Sequence, residues 1–257
     1  MISITAAKME KKRSIRIWAV LVWLLIWQLA SMALNKEFLL ASPLRVLERL
    51  GQLAVTANFW ASIGFSFLRI AGGFFLAAGA GILSATLSAR FRRVQELLSP
   101  LILAMKTIPV ASFIILALIW FSSRNLAVLI SFLMVLPVIY TNVLSGIQAA
   151  DKQLLEMGKV FGLSAGRTIR YLYVPEVLPF FRSGCNIALG LCWKSGIAAE
   201  VIGVPQGSIG EHLQQAKIYL DTPDLLAWTL VIVLVCITFE KLVQLLLNRT
   251  SKALERV

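Results

Sequence analysis

Apolar residues run along this chain in six long blocks separated by polar or basic connections, at residues 15–34, 61–88, 97–121, 126–147, 177–202 and 225–247. A helix that crosses a bilayer needs about 20 mostly apolar residues, because the hydrocarbon core is about 30 Å thick and each residue advances about 1.5 Å. Each block meets that length, so the pattern predicts an all-α polytopic membrane protein of six transmembrane helices. Residues 1–257 then form one transmembrane domain. Two other stretches have helical periodicity without the apolar length. After the first block, Ser42 can cap a helix with Pro43 at its first position, where Val46, Leu47, Leu50 and Leu53 recur against Arg45, Glu48, Arg49 and Gln52. That amphipathic pattern suits the membrane surface or the flank of the bundle. In the connection 148–175, Asp151 can cap a helix reaching Phe161, with Leu154, Leu155, Met157, Val160 and Phe161 on a mixed apolar face. Gly162 stops it, Ser164 can cap a second helix over 165–173, and Pro175 ends that one. A compact helix–turn–helix knob is expected there.

Composition strengthens the membrane reading. Of 257 residues, 58% are hydrophobic and 15% charged, with a mean hydropathy of +0.81, which excludes an ordinary soluble domain. A net charge of +12 would suit nucleic acid, but its distribution does not. Lys8, Lys11, Lys12, Arg13 and Arg16 precede the first block, and Arg90, Arg92 and Arg93 follow the second. Lys152, Lys159, Arg167, Arg170 and Arg182 surround the fourth connection, and Lys241, Arg249, Lys252 and Arg256 finish the chain. Alternate connections are basic, so the positive-inside rule puts them and both termini in the cytoplasm. On the other side Lys36, Arg45, Arg49, Arg124 and Lys217 are offset by Glu37, Glu48, Glu211, Asp221 and Asp224. The basic leader and Ser31-Met32-Ala33 imitate a cleavable signal, but the apolar run is too long, which favours a retained anchor. Cys185, Cys192 and Cys236 lie in apolar blocks and read as small buried hydrophobes.

Within the second block Gly73, Ala77, Gly81 and Ala85 make a four-residue stripe that lets another helix approach closely. Pro100, Pro109 and Pro137 mark expected kinks, which either line a path or are inert. Lys194 and Glu200 lie inside the fifth block, where a charge costs roughly 2.5–3.5 kcal/mol and must face the bundle interior or water. Six residues apart, they point about 240 degrees away from each other. Lys194 either lines a path for an anionic or polar solute or caps carbonyls freed by Gly190 and Gly196; Glu200 is expected to brace an outer gate, and Asn186 is a further polar candidate. Arg69 and Lys106 read as snorkelling cations. The chain carries no phosphate-cradling G-x-x-x-x-G-K-[ST] loop, no Ser, His, Asp set and no metal-ligand spacing, and its one histidine, His212, reads as a surface residue. Non-enzymatic function is expected.

Glu156-Met157-Gly158, three residues, Gly162, nine residues, then Leu172, Val174 and Pro175 resemble the cytoplasmic loop of the permeases of binding-protein-dependent ABC importers. That family's opening triplet is Glu-Ala-Ala, so Met157 and Gly158 depart from it, while the glycine, the proline and the spacing agree. Ser42-Pro43-Leu44, Ala198-Ala199-Glu200 and the Gly203 to Gly210 loop look like the branch for nitrate, sulfonates, taurine and vitamin precursors. The resemblance implies a coupling loop within 148–175, in which Glu156, Gly158, Lys159, Gly162, Leu163, Ser164, Arg167 and Pro175 meet a separate ATPase. It implies a bacterial inner membrane and a second permease, a homodimer in the first instance, with two ATP-binding cassette subunits carrying ATP and Mg, an extracytoplasmic solute-binding protein and surrounding lipid. This chain itself would bind no cofactor. Two rivals are an ion-gradient-driven secondary transporter, which often shows inverted repeats not seen between these halves, and a membrane enzyme, for which clustered catalytic side chains are missing.

Overall fold

The computed structural model describes residues 17–34, 36 and 38–255. The basic leader through Arg16, Glu37 and Arg256 lie outside them, as does the side chain of Lys252. Every element among the described residues is helical: α1 (Ile17–Leu34), α2 (Pro43–Ala54), α3 (Ala57–Arg90), α4 (Arg92–Thr107), α5 (Val110–Trp120), α6 (Ser123–Ala149), α7 (Lys152–Val160), α8 (Ala165–Thr168), a π-helical turn (Ile169–Tyr173), α9 (Val174–Gly203), α10 (Ile209–Ile218) and α11 (Thr222–Glu255).

The centre is α3, α6 and α9, packed at backbone distance because small residues stand where they cross. A Cβ on Gly73 would lie 2.6 Å from the Val128 carbonyl oxygen and one on Gly81 2.9 Å from Ile139 Cγ2, while Ala77 and Ala85 are fully buried. From α9, a Cβ on Gly196 would meet Ile70 Cγ1 at 2.7 Å and Ser131 Oγ at 2.8 Å. Beside this contact, Phe239 of α11 packs on Phe67, Phe74 and Trp193, with ring centroids 5.4, 5.6 and 6.1 Å away. Such rings supply dispersion contacts where lipid offers no hydrophobic drive.

Four helical runs among the described residues are long and apolar enough to cross a membrane: α3, α6, α11, and the continuous run from Ala165 to Gly203. The third apolar block is not a straight crossing. Its two parts, α4 and α5, meet at 108° around Pro109, which lacks an amide hydrogen and stands in extended backbone. Of the expected kinks, only this one breaks the chain, which stays helical through Pro100 and Pro137. The sixth apolar helix, α1, is tied down by Trp27 Nε1 donating to the Ala41 carbonyl (3.0 Å) and Ser31 Oγ to that of Leu40 (2.9 Å). Ser42 caps α2 through Arg45 N, and Arg49 fastens that helix to Asp224 of α11 at 2.8 Å.

Candidate functional site

Asp151 starts α7 by accepting the Gln153 amide at 2.8 Å, and Gly162 ends the turn with φ +66°, a left-handed conformation that glycine adopts without penalty. Leu163 N then returns to the Gly158 carbonyl at 2.9 Å, closing the knob on itself. Gly158 is buried beneath Leu163 and Leu172, whereas Leu154, Met157, Val160 and Phe161 are exposed, the last two by 84% and 76%. Glu156, Lys159, Ser164 and Arg167 are exposed around this apolar tip, and Leu163 is half-buried. Pro175 does not end the second helix. The π-turn from Ile169 to Tyr173 leads directly into α9 and puts Pro175 in the first turn of that helix, a position that proline's fixed φ suits. One continuous helical run therefore joins Ala165 in the knob to Gly203 at the far end.

At that far end Glu200 is fully buried. Its Oε2 accepts from Ser66 Oγ at 2.7 Å and from Gly210 N at 3.3 Å, and Ser66 Oγ in turn accepts from Ile209 N at 3.0 Å. Glu200 Oε1 is buried with no hydrogen-bond partner among the described residues. The connection after α9 turns through Val204 and Gly207, with φ +46° and +75°, then starts α10 with Ser208 Oγ accepting from Glu211 N (3.0 Å) and Glu211 Oε2 from Gly207 N (2.6 Å). A positive φ at a β-branched valine is strained and persists only where surrounding contacts hold it. α3, the end of α9 and the start of α10 are thus pinned together by one carboxylate. The reciprocal Ser208–Glu211 cap was readable from its spacing; Ser66, 134 positions from Glu200, carries no such signal.

Lys194 is not brought to Glu200. It is exposed on the opposite side of α9, and no carbonyl among the described residues accepts from it. Beside it runs a polar seam between α9 and α11, absent from the sequence-based expectations. Gln244 Nε2 donates to Glu240 Oε1 at 2.8 Å and to Asn186 Oδ1 at 3.4 Å, and the Cys236 thiol lies within electrostatic reach of both Glu240 and Lys194. Arg182 continues the seam by donating to Asn248. Arg69 does more than snorkel: Nε donates to the Arg124 carbonyl at 2.7 Å while the guanidinium lies 3.5 Å over the Phe65 ring. Lys106 is exposed near the end of α4.

His212 is not a free surface residue. Its ring stacks flat on Trp228 at 4.5 Å and Nε2 pairs with Ser62 Oγ at 3.0 Å, joining α10 to α11 and α3. Burial pulls its pKa below the ordinary histidine value, with Glu211 and Asp224 acting in the other direction. Among the described residues no group of three or more His, Cys, Asp or Glu side chains is arranged to hold a metal ion.

The family model described as "Binding-protein-dependent transport system inner membrane component" matches residues 77–254. SsuC of Bacillus subtilis (strain 168), named for aliphatic sulfonates transport, is 25% identical over 230 residues, 88% of this chain and 83% of that one. The taurine transport system permease protein TauC of Escherichia coli (strain K12) is 27% identical over 225 residues, 85% and 80% of the two chains. The formylaminopyrimidine transport permease protein ThiX of Halalkalibacterium halodurans is 26% identical over 208 residues, 80% and 82%. Among solved structures, a chain from an amino acid ABC transporter with histidines shares the fold, with a TM-score of 0.57 and 18% identity over 78% of this chain and 97% of that one.

Proposed function

This chain belongs to the binding-protein-dependent transport system inner membrane components and is the permease of an ABC importer, and from that premise we propose that its knob docks a separate ATPase subunit. The observation that carries this is the exposed apolar tip of Leu154, Met157, Val160 and Phe161 on an otherwise polar loop. A patch of that kind is the usual anchor of a protein interface, with the surrounding charges of Glu156, Lys159 and Arg167 as its rim. ATP and Mg belong on that partner, and the knob and both termini lie in the cytoplasm, as the basic connections favour. The helical run from Ala165 to Gly203 supports a lever: a displacement of the docked knob reaches Glu200 through a single helix.

A homodimer, two ATPases and an extracytoplasmic binding protein complete the assembly. Lys194 supports that reading, since a cation exposed on a spanning helix needs water or a second chain beside it. It lines the path together with Asn186, and Glu200 with Ser66 holds the outer gate. The solute is small and anionic or polar; the names of the sulfonate, taurine and formylaminopyrimidine relatives support this range.

The docking surface is tested by co-purification. Phe161→Asp and Gly162→Val are expected to lose the ATPase subunit while the permease stays folded, and an unchanged complex would refute the docking surface. Lys194→Met, assayed in reconstituted vesicles, is expected to lower uptake with ATP hydrolysis retained.

A further inference from the structure

Where the knob joins the membrane domain, the ends of α3 and α6 and the start of α9 enclose a cavity of about 490 Å³. Its walls include Ile82, Val143, Val177 and Phe181, with Tyr173 of the π-turn at one end and Arg90 at its edge. The volume lies within the ordinary range of ligand sites, roughly 300–1,000 Å³. Arg90 is the single charged side chain lining it among the described residues, and no described acid pairs with it. Of the neighbouring cations, Arg92 is paired with Glu96 at 3.0 Å and Arg93 is exposed, so Arg90 supplies the charge at the cavity while the interior is apolar. Arg90 is also the last residue of α3, one of the helices long and apolar enough to cross a membrane. An apolar slot between helices of spanning length, lined by a guanidinium that lies 5.6 Å over the Phe91 ring and has no acidic partner among the described residues, matches an amphiphile with an anionic head.

We propose that this cavity binds one anionic phospholipid from the leaflet on the knob's side, its acyl chain between Ile82 and Phe181 and its net-negative head on Arg90, from which the choline ammonium of a zwitterionic lipid would be repelled. The acyl chain would lie against Val177 and Tyr173, at the root of the knob, and so would brace the joint between the knob and the α3–α6 pair. A soluble anion would use only the edge, and an uncharged amphiphile only the slot. The charge and the cavity together favour the lipid.

The test uses the full-length protein in nanodiscs of equimolar phosphatidylglycerol and phosphatidylcholine with matched acyl chains, with retained lipid counted by native mass spectrometry. One phosphatidylglycerol per chain is expected to be kept in preference to phosphatidylcholine. Arg90→Gln should reduce that preference by about tenfold, because the attraction for a net-negative head over a zwitterionic one goes with the guanidinium. Ile82→Trp, or Thr86→Trp on the same helix face, should abolish retention of either lipid with the melting temperature unchanged. Equal retention of the two lipids, an Arg90→Gln variant that keeps the preference, or tryptophan variants that still retain lipid would overturn the proposal. Displacement by inorganic phosphate would do the same, assigning the edge to a free anion, as would a disulfide between copies through Thr86→Cys, assigning the slot to a second chain.

Discussion

Gly210 has no room for a side chain. A Cβ there would fall 2.3 Å from Glu200 Cβ, 2.4 Å from the Glu200 carbonyl carbon and 2.6 Å from Val201 N, so backbone itself would have to move. Gly210→Ala is therefore expected to cost about 3 kcal/mol or more, read as a lowered melting temperature in detergent. Gly158 is the contrasting case: a Cβ would meet only the Leu172 and Leu163 Cδ1 atoms, at 3.1 and 3.2 Å, and these flexible ends can yield. Helix propensity favours alanine by about 1 kcal/mol, so Gly158→Ala should change stability by no more than about 1 kcal/mol either way. That agrees with alanine standing there in the family's loop pattern. His212 gives a pH dependence of known sign. With its pKa held below about 6.5 in the fold, the unfolded chain takes up the proton first. The stabilisation from neutral His212 is complete above that value and is lost as pH falls through it toward the lowered one. The melting temperature of the protein should fall from pH 7 to pH 5, and His212→Gln should flatten that fall.

At the scale of elements, the serines that could begin helices are not equivalent. Ser208 Oγ accepts from Glu211 N at 3.0 Å, whereas Ser164 makes no side-chain cap to α8. Ser208→Ala is expected to cost about 1 kcal/mol and Ser164→Ala well under half of that, measured by thermal unfolding. Periodicity placed Ser164 at a helix start and left Ser208 unread, since it reports where a helix begins but not where a hydroxyl points. Apolar length made the four helical runs long enough to cross a membrane legible, and the Asp151 and Gly162 signals marked α7 and its end because each acts within one turn of chain. The third block was misread as straight because a hydropathy window averages across Pro109, and Pro175 was misread as a stop because a proline in a first turn looks the same in sequence as one after a last turn. The Ser66–Glu200 contact and the seam through Asn186 and Gln244 were invisible because each depends on which faces of distant helices meet.

For the whole molecule, the close approach of α3, α6 and α9 determines whether a push on the knob moves one helix or the bundle. Ser131 sits at the junction: a Cβ on Gly73 would meet its Cβ at 2.8 Å, and a Cβ on Gly196 would meet its Oγ at 2.8 Å. Gly73→Ala and Gly196→Ala should each cost about 1–3 kcal/mol by overpacking. Because they press on the same side chain from two helices, their combined cost should depart from the sum by about 0.5 kcal/mol or more. Ser131→Ala discriminates between them. It removes the oxygen that Gly196→Ala strikes but leaves the Cβ that Gly73→Ala strikes, so it should restore part of the stability lost in the first variant and little in the second. The rescue is only partial because Ile70 Cγ1 also lies 2.7 Å from the added methyl. If the three helices move as one body, the unrescued variants should keep ATP hydrolysis by the partner yet lose solute uptake, since the knob would still dock while its displacement dissipated between loosened helices. Uptake returning with Ser131→Ala in the Gly196→Ala background, in step with the melting temperature, would tie transport to this packing; full uptake in the overpacked variants would rule the tie out.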